Sequence, residues 1–344
     1  MLSLHREARV KHEAATVRLL ALAKKEETML FLCIEIAMVV LFILVLADAA
    51  LSYWENKRKL LLLVLAFVYA VILENFNIFI TKGHAGSYFY NPEFVLWIWQ
   101  TPLAIALAWT CLLYTAMHIT DMLRLKVLTR PFMDAILLLM IYLTMDVVAV
   151  RQEIVFWVGH SQAQGWFGVP ADHFISWLFI AFIFSFLFRY FSRTENDMIN
   201  KTTRTEYFFL LPAFAYLGML VLFSLVNLAE DALSLTKAEE LFVLWAIVIF
   251  FALMLRAPKA RQVQMFTNNN YTVFVMLFTR LLFYSYIMFS MVFTEVYLSN
   301  LVVVLILLLT LVSEMLVYHE AFGHIGKPLQ IVRLTNKQRE MGHY

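Results

Sequence analysis

Chain breakers and charge are both scarce in this 344-residue chain, which has nine Gly and seven Pro and only 15% Asp, Glu, Lys and Arg. So few turn formers exclude a membrane β-barrel, whose many reversals need them and whose strands alternate over about ten residues. The low charge, beside 62% hydrophobic residues and a mean hydropathy of +0.75, excludes an ordinary soluble domain. An excess of one sign is missing too. The 27 Lys and Arg face 25 Asp and Glu and form no basic stripe, so nucleic acid is not an expected partner. Cysteine is nearly absent: Cys33 and Cys111 lie singly in apolar runs, which rules out a CxxC metal site or a disulfide framework.

Apolar runs of about 20 residues are abundant, the length that crosses a roughly 30 Å hydrocarbon core at about 1.5 Å per residue. Nine are expected, over 28–53, 60–81, 92–118, 131–150, 171–190, 207–229, 238–256, 271–298 and 300–319, making the fold an all-α polytopic membrane bundle. They divide the chain into an amphipathic surface helix (1–27), a seven-span core (28–256), two further spans (257–319) and a polar tail (320–344). Residues 1–27 are not expected to be a signal peptide, because His5, Arg6, Glu7 and Arg9 interrupt any apolar core. Lys and Arg concentrate after spans 1, 3, 5 and 7 and in the tail, which assigns those connections to the cytoplasmic side, although the basic residues of 1–27 pull the other way. The expected location is the inner (cytoplasmic) membrane of a prokaryote.

Any site must then be built from helices and short loops. Two connections stand out, Lys82–Pro92 and Arg151–Pro170, and both lie on the same membrane face because two spans separate them. A carboxyl inside the bilayer costs about 2.5–3.5 kcal/mol at a helix centre, so each needs a reason. Glu74 precedes Lys82 by eight residues and Asp146 precedes Arg151 by five, which places them about 12 Å and 7–8 Å beneath that shared face. Trp97 and Trp99, at the start of the third span, are expected at comparable depth. A plainer reading stays open, in which each acid only pairs with a neighbouring polar group. The hairpins also share an order of features at an offset of about 70 residues: Glu74, Pro102 and Trp109 in one, Asp146, Pro170 and Trp177 in the other. A duplication with its ligand at the repeat interface has this pattern.

The stretch from Glu74 to Gly86-Ser87-Tyr88-Phe89-Tyr90, with Pro102-Leu103 and Ala108-Trp109, resembles the integral-membrane carotenoid hydratases of the bisanhydrobacterioruberin and γ-carotene hydratase type. So does Asp146 with Ala149-Val150-Arg151, Phe156-Trp157 and Gly168-Val169-Pro170-Ala171-Asp172-His173-Phe174-Ile175-Ser176-Trp177, similar to that family's Gly-Val-Pro-Leu-x-Asn-Phe-x-Gly-Trp signature. The resemblance covers about residues 30–255. Three positions depart from it: Ala171 replaces Leu, His173 replaces Asn and Ser176 replaces Gly. The same region is distantly similar to small membrane lycopene cyclases, whose Pro-Leu-Glu-Glu motif falls on Pro170-Ala171-Asp172-His173 and keeps only its first acid.

The resemblance implies acid-initiated hydration, or cyclisation, of a terminal isoprenoid C=C bond. Glu74 and Asp146 are the expected acids, since burial and a nearby like charge both keep a carboxyl protonated. Asp172 and His173 are expected to activate water. Tyr88, Tyr90, Trp97, Trp99, Trp109, Trp157 and Trp177 are expected to bind substrate, their ring faces stabilising a carbocation. No cofactor and no metal is required. Partners would be a carotenoid or other isoprenoid lipid, membrane lipids, and a membrane protein docked on spans 8 and 9. A non-catalytic scaffold subunit binding carotenoid, quinone or lipid is the alternative, and a transporter is disfavoured because no inverted repeat is visible. His319-Glu320-Ala321-Phe322-Gly323-His324 spaces its histidines by five, not the four of a zinc-protease helix. Arg280, deep in span 8, needs a partner, and Glu314 in span 9 is the expected one.

Overall fold

The computed structural model describes residues 29–54, 56–84, 86–161, 164–193, 201–236, 239–256 and 269–322. The segment expected to be an amphipathic helix (1–27), the tail beyond Phe322 and His324 of the rejected zinc motif lie outside these residues. Ten helices account for most of the described chain: α1 Met29–Leu51, α2 Lys57–Thr81, α3 Leu103–Met122, α4 Arg130–Arg151, α5 Ala171–Arg193, α6 Lys201–Leu233, α7 Glu240–Met254, α8 Asn270–Phe293, α9 Val296–Ser299 and α10 Leu301–Phe322. Eight are long and apolar enough to cross a membrane. The expected seventh span, α7, has 15 residues, about 22 Å of helix, and falls short of that length.

Helix α3 lies at the centre, with 89% of its apolar window buried, between α2, α4, α8 and α10. Its composition explains the position. Without a hydrophobic force between helices in lipid, close approach favours small side chains, and α3 offers Ala104, Ala106, Ala108, Thr110, Cys111, Thr115 and Ala116. The hydroxyls of Thr110 and Thr115 donate to the carbonyls of Ala106 (2.7 Å) and Cys111 (2.9 Å), so no polar group is stranded. Helices α1, α6 and α10, by contrast, expose Leu, Ile, Val and Phe as a lipid-facing surface does.

At one end of the bundle, buried charges tie the helices together. Lys59 Nζ reaches Asp48 Oδ2 at 3.3 Å, and Asp48 also accepts from the Tyr114 and Thr272 hydroxyls, each at 2.6 Å, joining α1, α2, α3 and α8. Beside it, Asp121 accepts from Arg130 and Arg189, each at 2.6 Å, while Arg189 also reaches Asp134 at 3.0 Å. Arg280 pairs with Glu314 as expected and also donates to the Leu137 carbonyl at 2.7 Å, fixing α8 and α10 to α4.

The opposite end carries the two connections singled out in the sequence, and they pair. Strand β1 (Tyr88–Tyr90) runs antiparallel to β4 (Val155–Trp157), with Phe89 opposite Phe156. Between them in sequence, β2 (Trp97–Ile98) and β3 (Thr101–Pro102) form a tight hairpin. This hairpin corrects the expectation that the third span begins at residue 92. Helix α3 starts only after Pro102, whose φ of −60° and ψ of 137° are extended. Two buried side chains hold the hairpin down: Glu35 accepts from the backbone N–H groups of Val95 and Leu96, and Asn75 accepts from that of Gln100 at 2.7 Å.

Candidate functional site

The two-residue period of β1 turns Tyr88 and Tyr90 inward and Phe89 outward, where its ring stacks on Phe156 at 5.2 Å. Both inward phenols donate to Glu74 Oε2, Tyr88 at 2.7 Å and Tyr90 at 2.8 Å, and the Trp109 indole donates to Oε1 at 2.9 Å. Three donors converge on this one buried carboxyl, each bond contributing roughly 0.5–1.5 kcal/mol. Burial, and then the adjacent Glu74 carboxylate, push both phenols well above their ordinary pKa, so they keep the protons they donate.

Asp146 sits in a parallel arrangement. Its Oδ2 accepts from the Trp177 indole at 3.1 Å and faces His173 Nε2 at 3.2 Å. Among the described residues the hydrogen bonds to Asp146 fall on Oδ2, and the residue lines a cavity of about 70 Å³ walled by Tyr88, Tyr90, Trp109, Tyr142, His173 and Trp177. Each acid therefore holds the tryptophan that lies seven residues beyond the proline of its own hairpin. The indoles of Trp109 and Trp177 pack against each other with centroids 3.5 Å apart. No hydrogen bond joins Glu74 to Asp146 among the described residues. They are joined through rings.

Of the residues expected to bind substrate, Tyr88, Tyr90, Trp109 and Trp177 wall this small cavity. Trp157 packs on Tyr88 at 5.0 Å and on His173 at 4.6 Å and faces a larger cavity. The structure places Trp97 and Trp99 elsewhere. Trp99 occupies the tip of the β2–β3 hairpin with φ of 58°, is 60% exposed, and rests on Phe79 and Phe76. Trp97 donates its indole N–H to the Phe94 carbonyl at 2.6 Å. Their depth was inferred from a helix that is a hairpin here, so neither reaches the acids.

The larger cavity, about 470 Å³, lies between α2, α5 and α6 and meets Glu74, Asn77, Asp172, His173, Ser176 and Tyr216. Tyr88, His173 and Trp177 line both cavities and form the partition between them. Asp172, in the first turn of α5, also brings a carboxylate oxygen within 4.8 Å of those of Glu230 and Glu240, a grouping of a kind that forms without an ion as well. The turn that delivers α5 depends on Gly165. Its φ is +58°, and a Cβ there would lie 2.3 Å from the Val169 carbonyl oxygen, which accepts the Trp166 N–H at 2.7 Å.

Tyr142 was not singled out from the sequence. It stacks on Trp177 at 4.5 Å and on Trp109 at 4.8 Å, completing the aromatic wall. The available signal was its position one helical turn before Asp146, on the same face of α4.

No curated protein and no solved structure matches the chain. A family described as carotenoid biosynthesis protein matches residues 34–244, which takes in both acids, both tryptophans and the paired strands. With that match over more than half its length, this integral membrane protein belongs to the carotenoid biosynthesis protein family.

Proposed function

We propose that the protein hydrates a terminal C=C bond of an acyclic carotenoid or related isoprenoid, with Asp146 as the proton donor. The observation that carries this reading is the setting of Asp146: its Oδ2 is held by Trp177 and His173, and the residue lines a cavity walled by aromatic rings. In the proposed step the Asp146 proton adds to the less substituted alkene carbon, leaving a tertiary carbocation on its neighbour. The ring faces of Tyr142, Trp109 and Trp177 stabilise that cation, an interaction strengthened by exclusion of water. Glu74, behind Tyr88, Tyr90 and Trp109, orients those rings. Water from the larger cavity bonds to the cation through oxygen and yields its surplus proton to His173, which returns it to Asp146. The product is a tertiary alcohol. Asp172, on the wall of the larger cavity, is placed to order the water.

Hydration is favoured over cyclisation by the polar lining of the larger cavity, where Glu74, Asn77, Asp172 and Ser176 surround space that borders the acid site. Expression in a lycopene-producing host, followed by pigment analysis, tests the reading. A hydroxylated acyclic product is expected. A cyclised product would replace hydration by ring closure, and unchanged pigment that copurifies with the protein would favour a binding scaffold.

A further inference from the structure

The small cavity beside Asp146 adjoins an apolar chamber. Five of the cavity's lining residues, Ile105, Ala108, Met145, Ala149 and Ile154, together with no acid, also line this chamber of about 300 Å³ between α1, α3, α4 and α8. That volume falls at the lower end of the roughly 300–1,000 Å³ range of small-molecule pockets. Helix α1 contributes Cys33, Ala37 and Met38, and α8 contributes Phe283, Tyr286 and Phe289. Helix α8 lies outside the stretch that matches the family.

The chamber's chemistry selects its occupant. Its polar side chains are engaged among themselves and their neighbours: the Tyr286 hydroxyl donates to Gln152 Oε1, and Gln152 Nε2 donates to Ser290 Oγ at 3.0 Å. What remains facing the space is hydrocarbon, suited to a ligand segment with no hydrogen-bonding groups. The mouth faces the lipid side, since Cys33 is exposed and Phe289 is 65% exposed on membrane-spanning helices. A cavity of about 70 Å³ holds only the reacting end of an isoprenoid, so the remainder of the molecule has to leave it. The water-side cavity presents carboxyl, amide and hydroxyl groups, while the chamber presents none that is unspent.

We propose that the chamber between α1, α3, α4 and α8 seats the unreacted hydrocarbon part of the isoprenoid whose terminal double bond lies at Asp146, so that α1 and α8 govern which chains the site admits. This rests on the function proposed above for the acid site, but its test reads binding and not turnover. Cys33 lines the chamber at its mouth, whereas Cys111 is fully buried, so the chain carries its own reporter. Full-length protein in phospholipid nanodiscs is treated with a membrane-permeant maleimide, with and without lycopene, and Cys33 modification is followed by mass spectrometry. Lycopene at ten times its Kd should slow modification about tenfold by mass action. Ala37→Trp, which fills the chamber, should abolish that protection; Ala37→Leu serves where the larger ring disturbs folding. Equal rates with and without lycopene in the same bilayer would assign the space to lipid acyl chains and overturn the proposal, as would protection that survives both variants. Protection without turnover would sink hydration and leave the chamber standing; turnover without protection would do the reverse.

Discussion

Replacing Asp146 by Asn changes one atom in function and almost nothing in shape. The amide oxygen can still accept the Trp177 indole, now at 3.1 Å, and the group still fills the floor of the small cavity. What is lost is the transferable proton of the carboxyl. Positioned acid catalysis contributes about 10²–10⁴-fold, and at 1.36 kcal/mol per tenfold this is about 2.7–5.4 kcal/mol of barrier. The other aromatic contacts are untouched, because Tyr142 continues to stack on Trp177 and Trp109. The assay is the initial rate of alcohol formation from lycopene in proteoliposomes, normalised to protein that retains the wild-type melting transition. Asp146→Asn should reduce that rate by at least about a hundredfold while the melting transition stays in place. A rate within a few-fold of wild type would refute the assignment of Asp146 as the acid.

Glu74→Gln should act differently, since it leaves one of three buried donors facing an amide N–H. The loss is about 1–3 kcal/mol, visible as a lower melting temperature together with reduced turnover; unchanged stability would show that the Tyr88, Tyr90 and Trp109 bonds are not carrying Glu74. Arg189→Met strips Asp121 and Asp134 of a shared buried cation and should destabilise the protein by about 3–5 kcal/mol. Little change in thermal unfolding would contradict that role. Gly165→Ala forces a Cβ against the Val169 carbonyl at a left-handed backbone position and should displace the start of α5, lowering turnover through His173; wild-type kinetics in this variant would show that the turn yields without cost.

Much of the architecture was legible because polar residues punctuate an otherwise uniform apolar chain. Glu74 and Asp146 needed a reason to be in the bilayer, and the repeated spacing of proline and tryptophan marked Trp109 and Trp177, which the structure shows bonded to them. Span parity put the two connections on one membrane face, where β1 and β4 are found paired. Hydropathy does not distinguish a lipid-facing side chain from one packed inside, so the burial of α3 and the position of Tyr142 were not visible in it. Trp97 and Trp99 were misplaced because an apolar segment ahead of Pro102 reads equally well as helix or as hairpin. The charge network of Asp48, Lys59, Asp121, Asp134 and Arg189 escaped notice because each residue, taken singly near a span end, looks like an interfacial charge.

The most direct test of the proposed chemistry follows the atoms of water. Lycopene is converted by reconstituted protein in water labelled with both deuterium and heavy oxygen, and the product is weighed by mass spectrometry. Acid-initiated hydration predicts one deuterium, on the carbon next to the alcohol, and one heavy oxygen in the hydroxyl for every bond hydrated. A hydroxyl whose oxygen does not come from water, or a product without the new deuterium, would contradict it.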